Sequence, residues 1–185
     1  LGTVPAELTQ VENLYGVESD ETKAEKQNLL PLGFSITYRK NQPFSHTLHL
    51  VPKTVVLGIG CKRGTEAESI RALIRETLEQ NQIFKESICL IASIDLKKDE
   101  EGIRICAEEL GVPFVTWSAE ELEQVRSEDG FTESAFVRSV AGVGNVCERS
   151  ALKGAGTSRL LIRKTAHNGV TVAAAVKDYT VCMED

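Results

Sequence analysis

The sequence predicts an α/β fold: a three-layer sandwich with a mixed, mostly parallel sheet and a C-terminal β-hairpin. Three observations carry this. Apolar runs of strand length, residues 54–59 (TVVLGI) and 88–93 (ICLIAS), alternate with amphipathic helical stretches. An Asn168-Gly169 pair separates two further strand-like runs, a strong hairpin signal. The chain has 185 residues, 42% hydrophobic and 26% charged, which suits one ordinary globular domain plus an arm.

Residues 1–52 differ from the rest. The run 18–26 (ESDETKAEK) is charged and nearly free of core residues. Residues 33–39 (GFSITYR) and 46–51 (HTLHLV) alternate like short strands, with turn chemistry between them at Asn41, Gln42 and Pro43. This predicts an arm carrying a hairpin, too poor in apolar residues to be a domain by itself.

From Lys53 onward the pattern is regular, and residues 53–185 are read as the domain proper. After the strand at 54–59, Thr65 and Glu68 have capping-box spacing, a hydroxyl followed three residues on by a carboxylate. The helix behind them places Ile70, Leu73, Ile74, Thr77 and Leu78 on one face. The strand at 88–93 leads to a second helix with Ile103, Cys106, Ala107 and Leu110 inward, stopped by Gly111 and Pro113. A short strand at 113–116 precedes a second capping box, Ser118 with Glu121, with Leu122 and Val125 facing inward. Asn145 is the expected cap of a helix running to about Lys153, and the strands at 159–163 and 170–176 close the chain.

Net charge is −6, from 21 basic and 27 acidic side chains, which disfavours general nucleic-acid binding and leaves room for a local basic site. No apolar run approaches the roughly 18–20 residues of a membrane helix. The chain opens on Leu1 without a basic-then-apolar segment, so no signal peptide is read and a piece of a longer protein is expected. Cys61, Cys89, Cys106, Cys147 and Cys182 are scattered and contain no C-x-x-C pair. That suits a reducing cytoplasm and argues against a disulfide framework or a zinc site. His46 and His49, three apart in an extended segment, point to opposite faces and make no metal pair.

Ligands of open α/β sheets sit outside the carboxyl ends of the strands. The first loop there is Gly58-Ile59-Gly60-Cys61-Lys62-Arg63-Gly64-Thr65. Its glycines permit close backbone approach, its amides lead into a helix start, and Lys62 and Arg63 add positive charge, so it reads as an anion site. A tight turn that merely needs glycine explains the same residues. The second loop runs from Ser93 to Glu100: Asp95 or Asp99 caps the helix, or Ser93 and Lys97 share a crevice with Arg63 while Asp95 or Glu100 serves as base. Glu148 sits in the first turn of the third helix, a dipole-favoured position for a surface acid, and Lys164 closes a hairpin strand. Cys61 beside two cations is also weighed as a nucleophile with a lowered thiol pKa, against a small residue filling a tight turn.

Four segments, in this order, resemble the C-terminal domain of CbiG proteins: residues 58–64 (GIGCKRG), the 92–100 loop (ASIDLKKDE), the 144–152 helix and the 164–174 ending. The stand-alone CobE proteins look like the same domain. In this chain Arg149 and Ser150 stand where the family more often has alanines. The resemblance covers residues 53–176, and it makes 1–52 similar to the tail of the CbiG middle region. It implies a cobalt-precorrin 5A hydrolase of cobalamin (vitamin B12) biosynthesis, which opens a ring lactone and releases a two-carbon fragment as acetaldehyde, or the C-terminal part of that enzyme. The alternative is a corrinoid-binding module without chemistry. The implied partners are a cobalt-containing tetrapyrrole intermediate and other enzymes of the pathway, with no nucleic acid, no membrane and no protein-held cofactor or metal, since cobalt arrives within the substrate. The substrate's carboxylates would meet Lys62, Arg63, Lys97 and Lys164. Main-chain amides from Gly60 to Thr65 would hold the oxyanion, with Ser93 and Glu148 lining the site and Glu100 or Asp95 as base.

Overall fold

The computed structural model describes residues 30–181; the charged run 18–26 and Cys182 lie outside them. Five strands form the main sheet: β3 (Val55–Cys61), β4 (Ile88–Ile94), β5 (Phe114–Trp117), β6 (Leu160–His167) and β7 (Val170–Val176). Their spatial order is β5-β4-β3-β7-β6. The pairs β3–β4 and β4–β5 are parallel, while β3–β7 and β6–β7 are antiparallel, so β7 alone runs against the other four. This is the mixed, mostly parallel sheet with a terminal hairpin that the sequence predicts. Asn168 (φ 48°) and Gly169 (φ 81°) both have positive φ, the geometry that a two-residue hairpin turn demands.

Alternation along β3 divides the layers. Val55, Leu57 and Ile59 join the cluster with Ile70, Leu73, Ile74 and Leu78 of α1 (Ala67–Gln80) and Ile103, Cys106 and Ala107 of α2 (Glu101–Leu110). The opposite face is covered by α5 (Cys147–Ala155). At Gly58 the α5 backbone takes the place of a side chain: a Cβ there would stand 1.8 Å from the Cys147 carbonyl oxygen and 2.7 Å from the Ala151 nitrogen. Gly58 therefore has a packing reason for being glycine. Two short helices, α3 (Ala119–Glu123) and α4 (Ala135–Ala141), lie between β5 and α5 in sequence.

Ser118 and Glu121 form the expected capping box, and Asn145 Oδ1 accepts from the Glu148 amide as expected of a cap. The Thr65–Glu68 box does not form: Thr65 Oγ1 donates to the Lys62 carbonyl at 2.7 Å, and the residue before α1, Glu66, makes no side-chain cap. Neither Asp95 nor Asp99 caps α2, which is preceded by Glu100.

The arm also differs from expectation. Its strands, β1 (Leu30–Ile36) and β2 (Phe44–Leu50), pair in parallel, with Phe34 opposite Leu48 and Ile36 opposite Leu50. The connection does not fold into a tight turn because its middle is bonded elsewhere. Tyr38 is buried in the main core, the Phe84 amide donates to the Tyr38 carbonyl, and the Lys40 amide donates to the Gln82 carbonyl.

Candidate functional site

The two loops singled out in the sequence meet at one edge of the sheet. Beyond the last β3–β4 pair, Gly58 with Ala92, the fully buried Ser93 Oγ donates to the Ile59 carbonyl at 2.7 Å. One turn further out, Glu100 reaches back to the first loop. Its carboxylate accepts from the Gly64 amide at 2.5 Å and from Lys97 Nζ at 2.9 Å. Burial alone would push this carboxyl up; the Lys97 ammonium and the amides of Gly64 and Thr65 outweigh it and hold Glu100 below the usual carboxylate range. Gly102 completes the fit, since a Cβ there would lie 2.3 Å from the Thr65 carbonyl oxygen. Gly102 is a positioning residue that the sequence reading missed, because only the contact between α2 and the first loop reveals its purpose.

The helix α5 arrives at the same edge. Val146 lies near Gly60, Cys147 against Gly58, and Gly154 against Val56 and Leu90, so its N-terminus points where β3 ends. That N-terminus is not open to a ligand. Glu148, a fully buried residue and not the surface acid expected, accepts from Asn145 Nδ2 at 2.6 Å, the Thr132 amide at 2.9 Å and the Lys164 amide at 2.8 Å. Behind it Arg149 donates to the carbonyls of Leu122, Glu123 and Val125 at the end of α3, pairs with Glu133 at 3.0 Å, and stacks 4.0 Å from the Phe131 ring. Arg149 thus ties α5 to α3.

The amides of the first loop are largely spoken for. Lys62 N–H donates to the Gly169 carbonyl at 3.1 Å, those of Gly64 and Thr65 face Glu100, and Gly60 and Cys61 lie in the ladder with β7. What the loop presents instead is charge. The side chains of Lys62 and Arg63 are exposed, and neither is paired with an acid among the described residues. Lys97 is committed to Glu100; the Lys164 side chain is half-buried near the Cys147 thiol. Asp95 is exposed in the short 3-10 turn that follows β4. Burial pushes the Cys61 thiol up, and Glu100 adds to the rise; the Lys97 ammonium and a Thr65 hydrogen bond only partly offset this. The flanking cations therefore do not make Cys61 a thiolate. Among the described residues no group of three or more His, Cys, Asp or Glu could hold a metal ion, and no helix is long and apolar enough to cross a membrane.

The fold and site together define a small five-stranded α/β/α domain with a fastened, cation-bearing turn at the carboxyl edge of its sheet. The family model described as "Cobalamin synthesis G C-terminus" matches residues 55–175, and the chain belongs to that family. A curated relative, the cobalt-precorrin-5A hydrolase of Priestia megaterium, is 34% identical over 69% of this chain and 33% of its own length. The chain spans about a third of the length of the curated hydrolases it matches first. Among solved structures, CobE, a protein from the cobalamin (vitamin B12) biosynthetic pathway, is 32% identical with a TM-score of 0.62, over 68% of this chain and 91% of that one. A cobalamin biosynthesis protein G homologue from Sulfolobus solfataricus is 28% identical with a TM-score of 0.55, over 78% of this chain and 44% of that one.

Proposed function

We propose that this chain acts in cobalamin biosynthesis as the C-terminal part of a cobalt-precorrin 5A hydrolase, gripping the peripheral carboxylates of the cobalt tetrapyrrole while its ring lactone is opened by water and acetaldehyde is released. One observation carries the reading: the two strand-end loops are locked together through Glu100 and Ser93, and the locked turn carries Lys62 and Arg63 outward without internal acid partners. Cobalt enters as part of the substrate. Lys62 and Arg63 bind carboxylates, Arg63 in two-pronged fashion. Glu100, held by donors and below the usual carboxylate range, positions the turn. Asp95 is then the acid left to activate water. Residues 1–52 are the tail of a preceding region, and 53–185 form the tetrapyrrole-gripping domain.

A second reading is a module that binds the corrinoid without chemistry. It is favoured by the internal engagement of Glu100 and by the near-complete span of CobE that the chain matches. Titration with cobalt-precorrin 5A, followed by visible absorption, tests the binding common to both. Arg63→Ala should weaken binding about 10–100-fold, the worth of a charge-assisted hydrogen bond, with an unchanged fold. Wild-type affinity in that variant would remove the reading. Acetaldehyde release by the wild-type chain separates hydrolase from binding module.

A further inference from the structure

We propose that Arg138, Arg149 and Gly144 form a second carboxylate subsite, and that Glu133 fills it as the chain's own stand-in until a ligand carboxylate takes its place. The Glu133 carboxylate is held as a bound ligand would be. Its Oε1 accepts from Arg149 Nη2 at 3.0 Å and its Oε2 from Arg138 Nη2 at 3.0 Å, one arginine for each oxygen. The group rests on Gly144, where a Cβ would stand 1.4 Å from the Glu133 Oε2 and 3.2 Å from the Arg138 Nη2. Gly144 is therefore a cradle that any side chain would fill, and it lies buried beneath the glutamate.

The arginines do not depend on Glu133 for their place. Arg149, with 7% of its side chain exposed, is fixed by the three carbonyls at the end of α3 and by the Phe131 ring. Its Nε is buried with no hydrogen-bond partner among the described residues, so the guanidinium keeps donor capacity that Glu133 leaves unused. Arg138 also pairs with Glu123 at 3.2 Å. Glu133, by contrast, has 41% of its side chain in water, and its backbone is secured separately. Thr132 before it is held by Glu148, and Ser134 after it caps α4, so the side chain can swing out while the loop stays. The subsite shares the carboxyl edge with the Lys62–Arg63 turn. Gly144 is two residues before Val146, which lies against Gly60, itself two residues before Lys62. Two residues span at most about 7 Å, so one macrocycle with carboxylates round its rim would reach both. The inference rests on the tetrapyrrole reading for its natural ligand, and not for the subsite itself.

Titration calorimetry with two probes, tricarballylate and cobalt-precorrin 5A, tests the inference. Glu133→Gln should bind both about 10-fold more tightly than the wild-type chain, because partly exposed ion pairs hold a side chain in place only about that strongly. Adding Arg138→Ala should remove the gain, while the gain measured against Arg63→Ala alone should persist. Glu128→Gln neutralises another acid of the same loop, one paired with Arg159, and should give no gain. No gain in Glu133→Gln would overturn the inference. So would a gain that survives Arg138→Ala, or an equal gain in Glu128→Gln, which would make the effect one of bulk charge. A gain for tricarballylate alone would uphold the subsite and count against the tetrapyrrole reading. In the wild-type chain, saturating tricarballylate should shift the side-chain carboxyl carbon resonance of Glu133. An unmoved resonance would overturn the inference even if Glu133→Gln failed to fold.

Discussion

Replacing Glu100 with glutamine separates a positioning role from a catalytic one. The carboxylate receives the Gly64 amide at 2.5 Å and the Lys97 ammonium at 2.9 Å, and only 7% of its side chain and 15% of that of Lys97 reach water. A glutamine keeps one carbonyl oxygen for one of these donors and turns an NH2 toward the other. Hydrogen bonds to charged groups contribute about 1.5–3 kcal/mol each. Full loss of one would set the cost, but the flexible lysine stem lets the ammonium swing outward and recover hydration. We expect a net loss of about 2 kcal/mol, or about 4–8 °C in Tm for a chain of this size.

The pH dependence follows from the direction of the shift. Glu100 lies below its ordinary value when folded, so its contribution is fully present above the unfolded-state pKa of about 4.3 and is lost as pH falls through the lower folded value. The stability gap between wild type and Glu100→Gln should thus be full at pH 7 and shrink below about pH 4. Guanidinium unfolding followed by circular dichroism at several pH values measures it. Corrinoid affinity should fall as well, because the cationic turn loses its anchor. A variant with wild-type stability and affinity but no acetaldehyde release would refute the argument and make Glu100 the base.

Gly58→Ala should cost about 3 kcal/mol in guanidinium unfolding, since the added methyl meets the α5 main chain at 1.8 Å; Gly60→Ala, whose nearest neighbour is the Thr171 hydroxyl at 2.7 Å, should cost clearly less. Arg149→Met should cost about 3 kcal/mol in the same assay by stranding the α3 carbonyls and Glu133, and a change under about 0.5 kcal/mol would count against that anchor. Cys61 should react slowly with iodoacetamide at pH 7 and accelerate only above pH 9; fast alkylation at pH 7 would show a thiolate.

Sequence patterns revealed what local periodicity determines. The inward residues of α1 and α2, the Asn168-Gly169 turn and the Ser118–Glu121 box follow from spacing alone, and the structure has them where the pattern puts them. Features set by distant partners were not legible. Thr65 has the right spacing for a cap, but Glu100, 36 residues beyond Gly64, claims the neighbouring amide and turns the loop so that the hydroxyl bonds Lys62. Glu148 reads as a surface acid until Thr132 and Lys164, each 16 residues away, bring it their amides. The arm reads as a hairpin because nothing local signals that residues 38–40 pair with 82–84. α4 was missed because seven residues are too few for a helical period to register.

The same division bears on how a chain of net charge −6 would hold the anionic ligand proposed for it. Asp95 and Asp99 are exposed near the sheet edge, whereas three glutamates are spent within the fold: Glu100 on the first loop and Lys97, Glu148 on three elements, Glu133 on Arg149 and Arg138. Their charge is balanced by local donors, so it does little to repel a ligand. Lys62 and Arg63, exposed and without acid partners among the described residues, sit on a turn clamped from two sides, by Glu100 and by the Gly169 carbonyl. A clamped turn loses little entropy on binding, which is where affinity for a rigid, many-carboxylate macrocycle is gained. A long polyanion would instead need a continuous basic surface, which two cations on one turn do not provide. On the proposed reading, neutralising Glu100 should cost more affinity for a compact polycarboxylate than adding a distant surface acid.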